Sequence, residues 1–236
     1  MTVWSLLWIG EGFGGEMAMN KQLELASKES LELARAKCNF TLENLRILML
    51  LRATSSNNFF LDKECLIRTE LYSKLFSVSK EQTELDFRKA MEELKFLAIE
   101  PIGRPTITGW LSSYNFIEQD KIEFRWNPEI ITIAEEDKAF GSYRLFHLRG
   151  LSTVLALKLY RYLNPAAHFR EHLVYTTTLV EILGIEGFTG KDKELKELLS
   201  PAIQEINAST TLTITSVTKT GKGLKFNLRR KDYVKK

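Results

Sequence analysis

The sequence contains few of the residues that build disulfides, metal clusters and catalytic dyads. Cys38 and Cys65 are its only cysteines, it has three histidines in 236 residues, and neither cysteine has a Cys or His at metal-ligand spacing. Without a secretory pattern, both are expected to be small buried side chains in a reducing cytoplasm. The sequence has no G-x-x-x-x-G-K-[ST] loop, which excludes P-loop ATPases. It also has no two histidines flanking a single apolar residue, which excludes rolling-circle nicking enzymes. We therefore expect no enzyme, no cofactor and no metal.

A strong overall charge is also absent, but the two parts of the chain differ in net charge. The net charge is +3, whereas residues 149–236 hold 15 basic and 8 acidic residues, so they carry +7 and residues 1–148 carry −4. Residues 216–236 alone contain eight Lys or Arg and one Asp. Because clustered positive charge attracts polyanions, the second half is expected to carry a nucleic-acid surface.

The second half has the pattern of a winged helix. Residues 191–207 place apolar side chains at three- and four-residue steps, which predicts an amphipathic helix. Residues 212–217 alternate as a strand, residues 219–223 form a glycine- and lysine-rich turn, and residues 224–228 return as a second strand. A helix of this kind fits the DNA major groove, and a glycine-rich hairpin brings lysines close to phosphates.

The first half repeats this plan. We expect an apolar helix over residues 42–51 capped by Thr41, a short strand at 59–61, a helix over 63–76, and a helix over 79–97 opened by a Ser79–Gln82 capping box. Strands at 98–102 and 121–126 are expected to flank a wing-like loop at 103–114 with Arg104 at its tip.

These patterns predict an α+β protein made of two tandem winged-helix domains. Residues 1–38 would be an N-terminal extension with a leading helix, 39–138 the first domain, 139–150 a linker with Gly141 and Gly150, 151–231 the second domain, and 232–236 a basic tail. The helix at 151–163 would open the second domain, as the helix at 42–51 opens the first.

Several blocks of the chain resemble iteron-binding plasmid replication initiators of the RepE and π type. The similarity runs over about residues 39–231. It rests on Leu151-Ser152-x-x-x-Ala156-x-x-Leu159-Tyr160-x-x-Leu163, on residues 179–185, on the Pro201-Ala202-x-x-Glu205-Ile206-Asn207 block, and on a lysine-glycine hairpin ending in Phe226. In the first half it rests on Phe40-Thr41-Leu42, Trp110, Tyr114 and the strand at 122–126.

The resemblance implies a non-enzymatic initiator that binds direct repeats in double-stranded DNA at an origin. It also implies recruitment of host replication machinery such as the replicative helicase, and a homodimer, formed through the first domain, that acts as repressor. The expected location is the bacterial cytoplasm, with no membrane partner. A winged-helix transcriptional regulator without initiator activity is the alternative within DNA binding.

The residues expected to contact DNA follow from the predicted helix and wing. Most lie in the second half, at the start of its last helix and along its hairpin, where base and phosphate contacts are made. They are Lys191, Lys193, Lys196, Lys219, Lys222, Lys225, Arg229, Arg230 and Lys231. The first half adds Arg88, Lys89 and Arg104.

Three other features suggest different interpretations. His168, Glu171 and His172 spell H-x-x-E-H, which on a helix would form a zinc hydrolase site; Pro165 and the strand-like residues after His172 favour a loop instead. Glu205 and Asn207 are interpreted as structural residues at a helix end, and Trp110, Trp126 and Tyr160 as core residues.

Residues 1–20 are treated separately. Gly10, Gly12 and Gly15 match a dinucleotide fingerprint, but the acidic residue expected about 20 positions later after a second strand is missing. Gly14-Gly15-Glu16 requires purine-rich codons of ribosome-binding type shortly before Met19. We therefore expect translation to start naturally at Met19 or Met17 rather than at Met1.

Overall fold

The chain enters the fold through a strand and a short helix. The computed structural model describes residues 26–55, 65–118, 120–136, 140–190, 192–221 and 223–231. Strand β1 spans Ala26–Ser30 and helix α1 spans Leu31–Arg35. The expected leading helix is therefore wrong for residues 26–30. The glycine fingerprint, the candidate start residues Met17 and Met19, and the strand predicted at 59–61 lie outside the described residues.

The first half is built on a helix that is buried on nearly every side. Helix α2 spans Leu42–Thr54, and the Thr41 hydroxyl accepts from Asn44 N–H at 3.2 Å, which confirms the predicted cap. All residues from 47 to 53 are buried. Because the sequence is apolar all round, this helix takes the centre of the core instead of a surface position.

A strand and two helices follow α2. Strand β2 spans Cys65–Arg68, helix α3 spans Glu70–Phe76, and helix α4 spans Lys80–Phe96. The helix predicted over 63–76 is thus wrong at residues 65–68, which pair with a later strand and leave Cys65 half-buried; Cys38 is buried. Ser79 caps α4 as predicted, since its hydroxyl accepts from Gln82 N–H at 3.2 Å, and the side-chain amide of Gln82 donates to Asp86.

The wing of the first half lies later in the chain than predicted. Strands β3 (Ala98–Ile99) and β4 (Ile107–Thr108) pair with each other, and β5 (Leu111–Glu118) and β6 (Lys121–Trp126) form the long hairpin. The sheet order is β2-β6-β5. The alternation of apolar residues in 111–118 explains the difference, since it continues a strand through part of the predicted loop.

The segment predicted as a linker has regular structure. Helix α5 spans Pro128–Glu136, strand β7 spans Phe140–Arg144 and pairs with β1, and a 3-10 helix covers Leu145–Gly150. The division of the chain into two domains near this segment stays a proposal. It is supported by the repeated order of elements on either side.

The second half has the helix–strand–helix–helix–hairpin order of a winged helix. Its elements are α6 (Val154–Leu163), a 3-10 helix (Pro165–Phe169), β8 (Glu171–Tyr175), α7 (Thr176–Leu183), α8 (Asp192–Ser209), β9 (Leu212–Thr220) and β10 (Gly223–Arg230). The sheet order is β8-β10-β9, all antiparallel. A Cβ at Gly223 would lie 2.4 Å from the Val174 carbonyl oxygen, so glycine is required where these strands meet.

The two halves share one continuous apolar core. Buried residues from both belong to a single cluster, including Trp110, Trp126 and Tyr160, which confirms their predicted core role. Polar contacts also cross between the halves: Arg46 Nη2 donates to the Leu151 carbonyl at 3.1 Å, and Arg161 lies 5.4 Å from the Phe40 ring centroid. Across the described ranges, no helix has the length and apolar composition needed to cross a membrane.

Candidate nucleic-acid interface

Helix α8 presents one face to the core and the other to solvent. Leu195, Leu199, Ala202 and Ile206 are buried at three- and four-residue steps. The opposite face is polar, and most of its members are exposed: Lys193, Glu194, Glu197, Ser200 and Gln204. The apolar stripe therefore attaches the helix to the core, and its polar face remains open to solvent. An α-helix is narrow enough to enter the DNA major groove.

Glu205 and Asn207 fix α8 to its neighbours. The Glu205 carboxylate accepts from the backbone N–H and hydroxyl of Ser152 at 2.8 and 3.0 Å. The Asn207 amide accepts from Ile214 N–H at 2.7 Å and donates to the Ile214 carbonyl at 3.0 Å. The predicted structural role is confirmed, but α8 does not end at Asn207, because it continues to Ser209.

The hairpin of β9 and β10 forms the wing beside α8. Its turn places Gly221 at φ 55°, a conformation that glycine adopts without strain. Thr218, Lys219 and Thr220 are exposed on β9 close to this turn. Lys222, predicted at the tip, lies outside the described residues, as does Lys191 at the start of α8.

Lys225, Arg230 and Lys231 are among the predicted basic residues that contact other parts of the protein. Lys225 Nζ lies 3.2 Å from a carboxylate oxygen of Glu171. Arg230 Nη2 donates to the Asn164 carbonyl at 3.3 Å. Lys231 Nζ donates to the carbonyls of Asn207 and Thr210, so its charge caps the C-terminal end of α8, where cations are stabilised.

The other predicted residues of the second half lie at the surface. Lys193 has 89% of its side chain exposed and lies 3.9 Å from Glu197, a separation at the limit of an ion pair. Lys219 and Arg229 are exposed, and Lys196 is half-buried. These four cations, together with the polar face of α8, are defined here as the α8–wing surface.

The predicted cations of the first half are paired with carboxylates. Arg88 donates to Glu84 at 2.8 and 3.1 Å while lying 4.7 Å from the Phe116 ring centroid. Lys89 lies 3.8 Å from Glu93.

Arg104 is not at a wing tip. It lies in the turn between β3 and β4, where it bonds Glu32 and also Glu136, the latter at 2.8 Å. The predicted position is wrong because the hairpin of β5 and β6, and not residues 103–114, forms the wing.

The H-x-x-E-H segment is not a helical metal site. His168 is at the end of a 3-10 helix, Arg170 turns the chain at φ 58°, and Glu171 begins β8. His172 Nε2 lies 2.7 Å from the Tyr162 hydroxyl, and burial, with Arg35 nearby, lowers the pKa of His172 to about 4. The zinc-hydrolase alternative required two histidines on one helical face, and the described geometry does not provide it.

Two polar residues of the α8–wing surface were not predicted. Ser200 and Gln204 are uncharged, so positive charge does not indicate them. They lie one and two turns beyond Glu197 on the exposed face of α8. The helical period places both residues opposite the apolar stripe, so this period is the sequence feature that indicates them.

The order of elements, with a polar helix face beside a basic hairpin, defines a winged-helix protein with a candidate DNA-binding surface. The model of the family described as "Initiator Replication protein, WH1" matches residues 26–164, which is more than half of the chain. The chain belongs to this family of replication initiators. A comparison with curated protein sequences found no match.

Solved structures show the same fold. The Pi initiator protein in complex with iteron DNA is similar with a TM-score of 0.74 and 16% identity, over 89% of this chain and 99% of that chain. Domains 2 and 3 of RctB are similar with a TM-score of 0.50 and 10% identity, over 87% of this chain and 91% of that chain. At these identities the likeness establishes the winged-helix fold.

Proposed function

We propose that this replication initiator binds double-stranded DNA at repeated sites of an origin through its α8–wing surface. The observation that carries the proposal is that α8 is fixed to the core by one face and by Glu205 and Asn207, while its polar face is covered by no described residue. A rigid helix with an open polar face is the element that winged-helix proteins place in a major groove.

The proposed DNA contacts are of two kinds, to base edges and to phosphates. Lys193, Ser200 and Gln204 lie on the exposed face of α8 and would contact base edges, since glutamine pairs with adenine and lysine with guanine. Lys219 and Arg229, with Lys191 and Lys222 from the sequence, would contact phosphates. Phosphate contacts release counterions, so binding is expected to weaken steeply with salt.

The finer steps of initiation also belong to the proposal. Monomers would bind direct repeats of the iteron type, a homodimer formed through the first half would repress, and host machinery such as the replicative helicase would be recruited. The family membership and the likeness to the Pi initiator, which was solved with iteron DNA, support this assignment. The proposed role needs no bond-making chemistry by the protein itself.

The test is binding of the full purified chain to the repeated DNA that flanks its own gene. Fluorescence anisotropy would be recorded with one, two and four repeats, at several salt concentrations, and with scrambled DNA of equal length as the control. We expect competitor-resistant binding that increases with repeat number. Equal affinity for scrambled DNA would contradict sequence-specific binding, and binding without support of plasmid replication would favour a transcriptional regulator.

A further inference from the structure

A cavity of about 260 Å³ lies between the two halves of the chain, close to the tip of the wing. Arg35, at the end of α1, and Ile102, in the turn between β3 and β4, line it from the first half. Tyr162, Leu173, Tyr175 and Thr178 are among the residues that line it from the second half. The cavity therefore joins parts of the molecule that are far apart in sequence.

The mouth of the cavity leaves large apolar side chains in water. Ile102 is 57% exposed, Leu173 64% and Tyr175 66%. Isolated exposed apolar residues are common, but these three surround one concave site. Apolar residues that converge on a concavity with a few polar groups are typical of small-molecule sites.

Arg35 places a cation in the lining of the cavity. The Nε of Arg35 is buried and has no hydrogen-bond partner among the described residues. The guanidinium lies 5.7 Å from the centroid of the Tyr162 ring. None of the residues lining the cavity is Asp or Glu. An anion bound in the cavity would be attracted by the Arg35 guanidinium, and no carboxylate in the lining would compete for it.

We propose that this cavity binds a small organic carboxylate with an apolar body. The carboxylate would accept hydrogen bonds from Arg35, and the body would lie between Ile102, Leu173 and Tyr175. A cavity of about 150 Å³ is sufficient for benzene, so this one accommodates a ring with a short chain. Because its walls come from both halves, the ligand would also stabilise their packing against each other.

The proposal is tested with 4-phenylbutyrate as the probe and its neutral amide as the matched control ligand. Binding of each to the full chain would be measured by ligand-observed NMR titration. We expect the acid to bind at least tenfold more tightly than the amide, because charge-assisted hydrogen bonds are about twice as strong as neutral ones. Arg35→Met should reduce this preference to less than threefold. Arg149→Met removes an exposed guanidinium outside the cavity and should change nothing.

Three results would overturn the proposal. They are no binding of the acid at millimolar concentration, equal affinity for acid and amide, and an unchanged preference in Arg35→Met. Thermal unfolding without the probe shows whether Arg35→Met is folded. If it is not, Leu173→Glu serves instead, since this exposed position tolerates charge and its carboxylate should weaken binding of the acid more than binding of the amide. None of these measurements depends on DNA binding.

Discussion

The two halves of the molecule have the same order of elements, but the cations that are predicted to contact DNA have different surroundings in each half. In the first half, the cations predicted to meet DNA are paired with carboxylates: Arg88 with Glu84, Lys89 with Glu93, and Arg104 with Glu32 and Glu136. In the second half, Lys193 and Lys225 also lie near carboxylates, but Arg229 is exposed on β10 beside the open face of α8. We therefore expect the two winged helices to contribute unequally to DNA binding.

The difference has an electrostatic consequence. Surface ion pairs are worth only about 0–1 kcal/mol, so they are easily broken, but each carboxylate stays near the DNA and repels its phosphates. A paired cation thus adds little net attraction. We expect the second half to supply most of the salt-dependent affinity and the first half to contribute mainly packing and protein contacts.

The largest effect is expected from matched triple substitutions to alanine in the two halves. One variant changes Lys219, Lys222 and Arg229; the other changes Arg88, Lys89 and Arg104. Losing three phosphate contacts should lower the slope of log K against log salt by about 2.7 and the affinity by roughly two orders of magnitude. The first-half variant should lose less than threefold. Equal losses of DNA affinity in the two variants, measured by anisotropy titration, would contradict the expected difference between the halves.

Much of this contrast could be predicted from sequence, and part could not. The helical stripe of α8 and the alternation of β9 and β10 are local patterns, so the second winged helix was predicted with nearly correct bounds. The first wing was misplaced because strand pairing decides which apolar segments become strands. Glu84 and Glu93 lie four residues from Arg88 and Lys89, so the helical period indicates these two pairs. Glu32 lies 72 residues from Arg104, and no local pattern indicates it.

We expect histidine protonation to affect mainly the second half, because all three histidines lie at or after residue 147. His147 is buried, its Nδ1 lies 3.0 Å from the Tyr160 hydroxyl, and burial, with Arg144 and Lys231 nearby, lowers its pKa to about 4. The unfolded chain, with a pKa near 6.5, binds the proton first. Stability is therefore fully present above pH 6.5 and is lost as the pH falls towards 4.

The expected loss from His147 is on the order of 3 kcal/mol over that pH range. Chemical denaturation of the wild type and of His147→Gln would be compared between pH 7 and pH 4, since glutamine can keep a hydrogen bond to Tyr160 without titrating there. The difference between the two curves isolates His147 from the carboxylates. Parallel curves would show that His147 does not control the acid response.

Base recognition provides a smaller and more specific comparison between the two long helices. Gln204 is exposed on α8, whereas Gln82 at the start of α4 donates to Asp86 at 2.7 Å. Gln204→Ala should reduce discrimination at one base pair of the repeat by about 1–2 kcal/mol, and Gln82→Ala should leave it unchanged. Binding to a set of singly substituted repeats measures both. A loss of base-pair discrimination in Gln82→Ala would show that the first half also contacts bases.

The smallest effect distinguishes two neighbouring cations in the basic end of the chain. Lys231 caps the carbonyls of Asn207 and Thr210, whereas Arg229 is exposed on β10. Lys231→Met should lower the free energy of unfolding by about 0.5–1 kcal/mol, since cations near a helix C-terminus contribute this much, and should leave the salt slope of DNA binding unchanged. Arg229→Met should do the reverse, with unchanged unfolding and a slope lower by about 0.9. Urea denaturation and salt titration of both variants test this directly. If Lys231→Met lowered the slope as Arg229→Met does, the lysine would contact phosphate despite its cap, and the basic end would act as one continuous DNA surface.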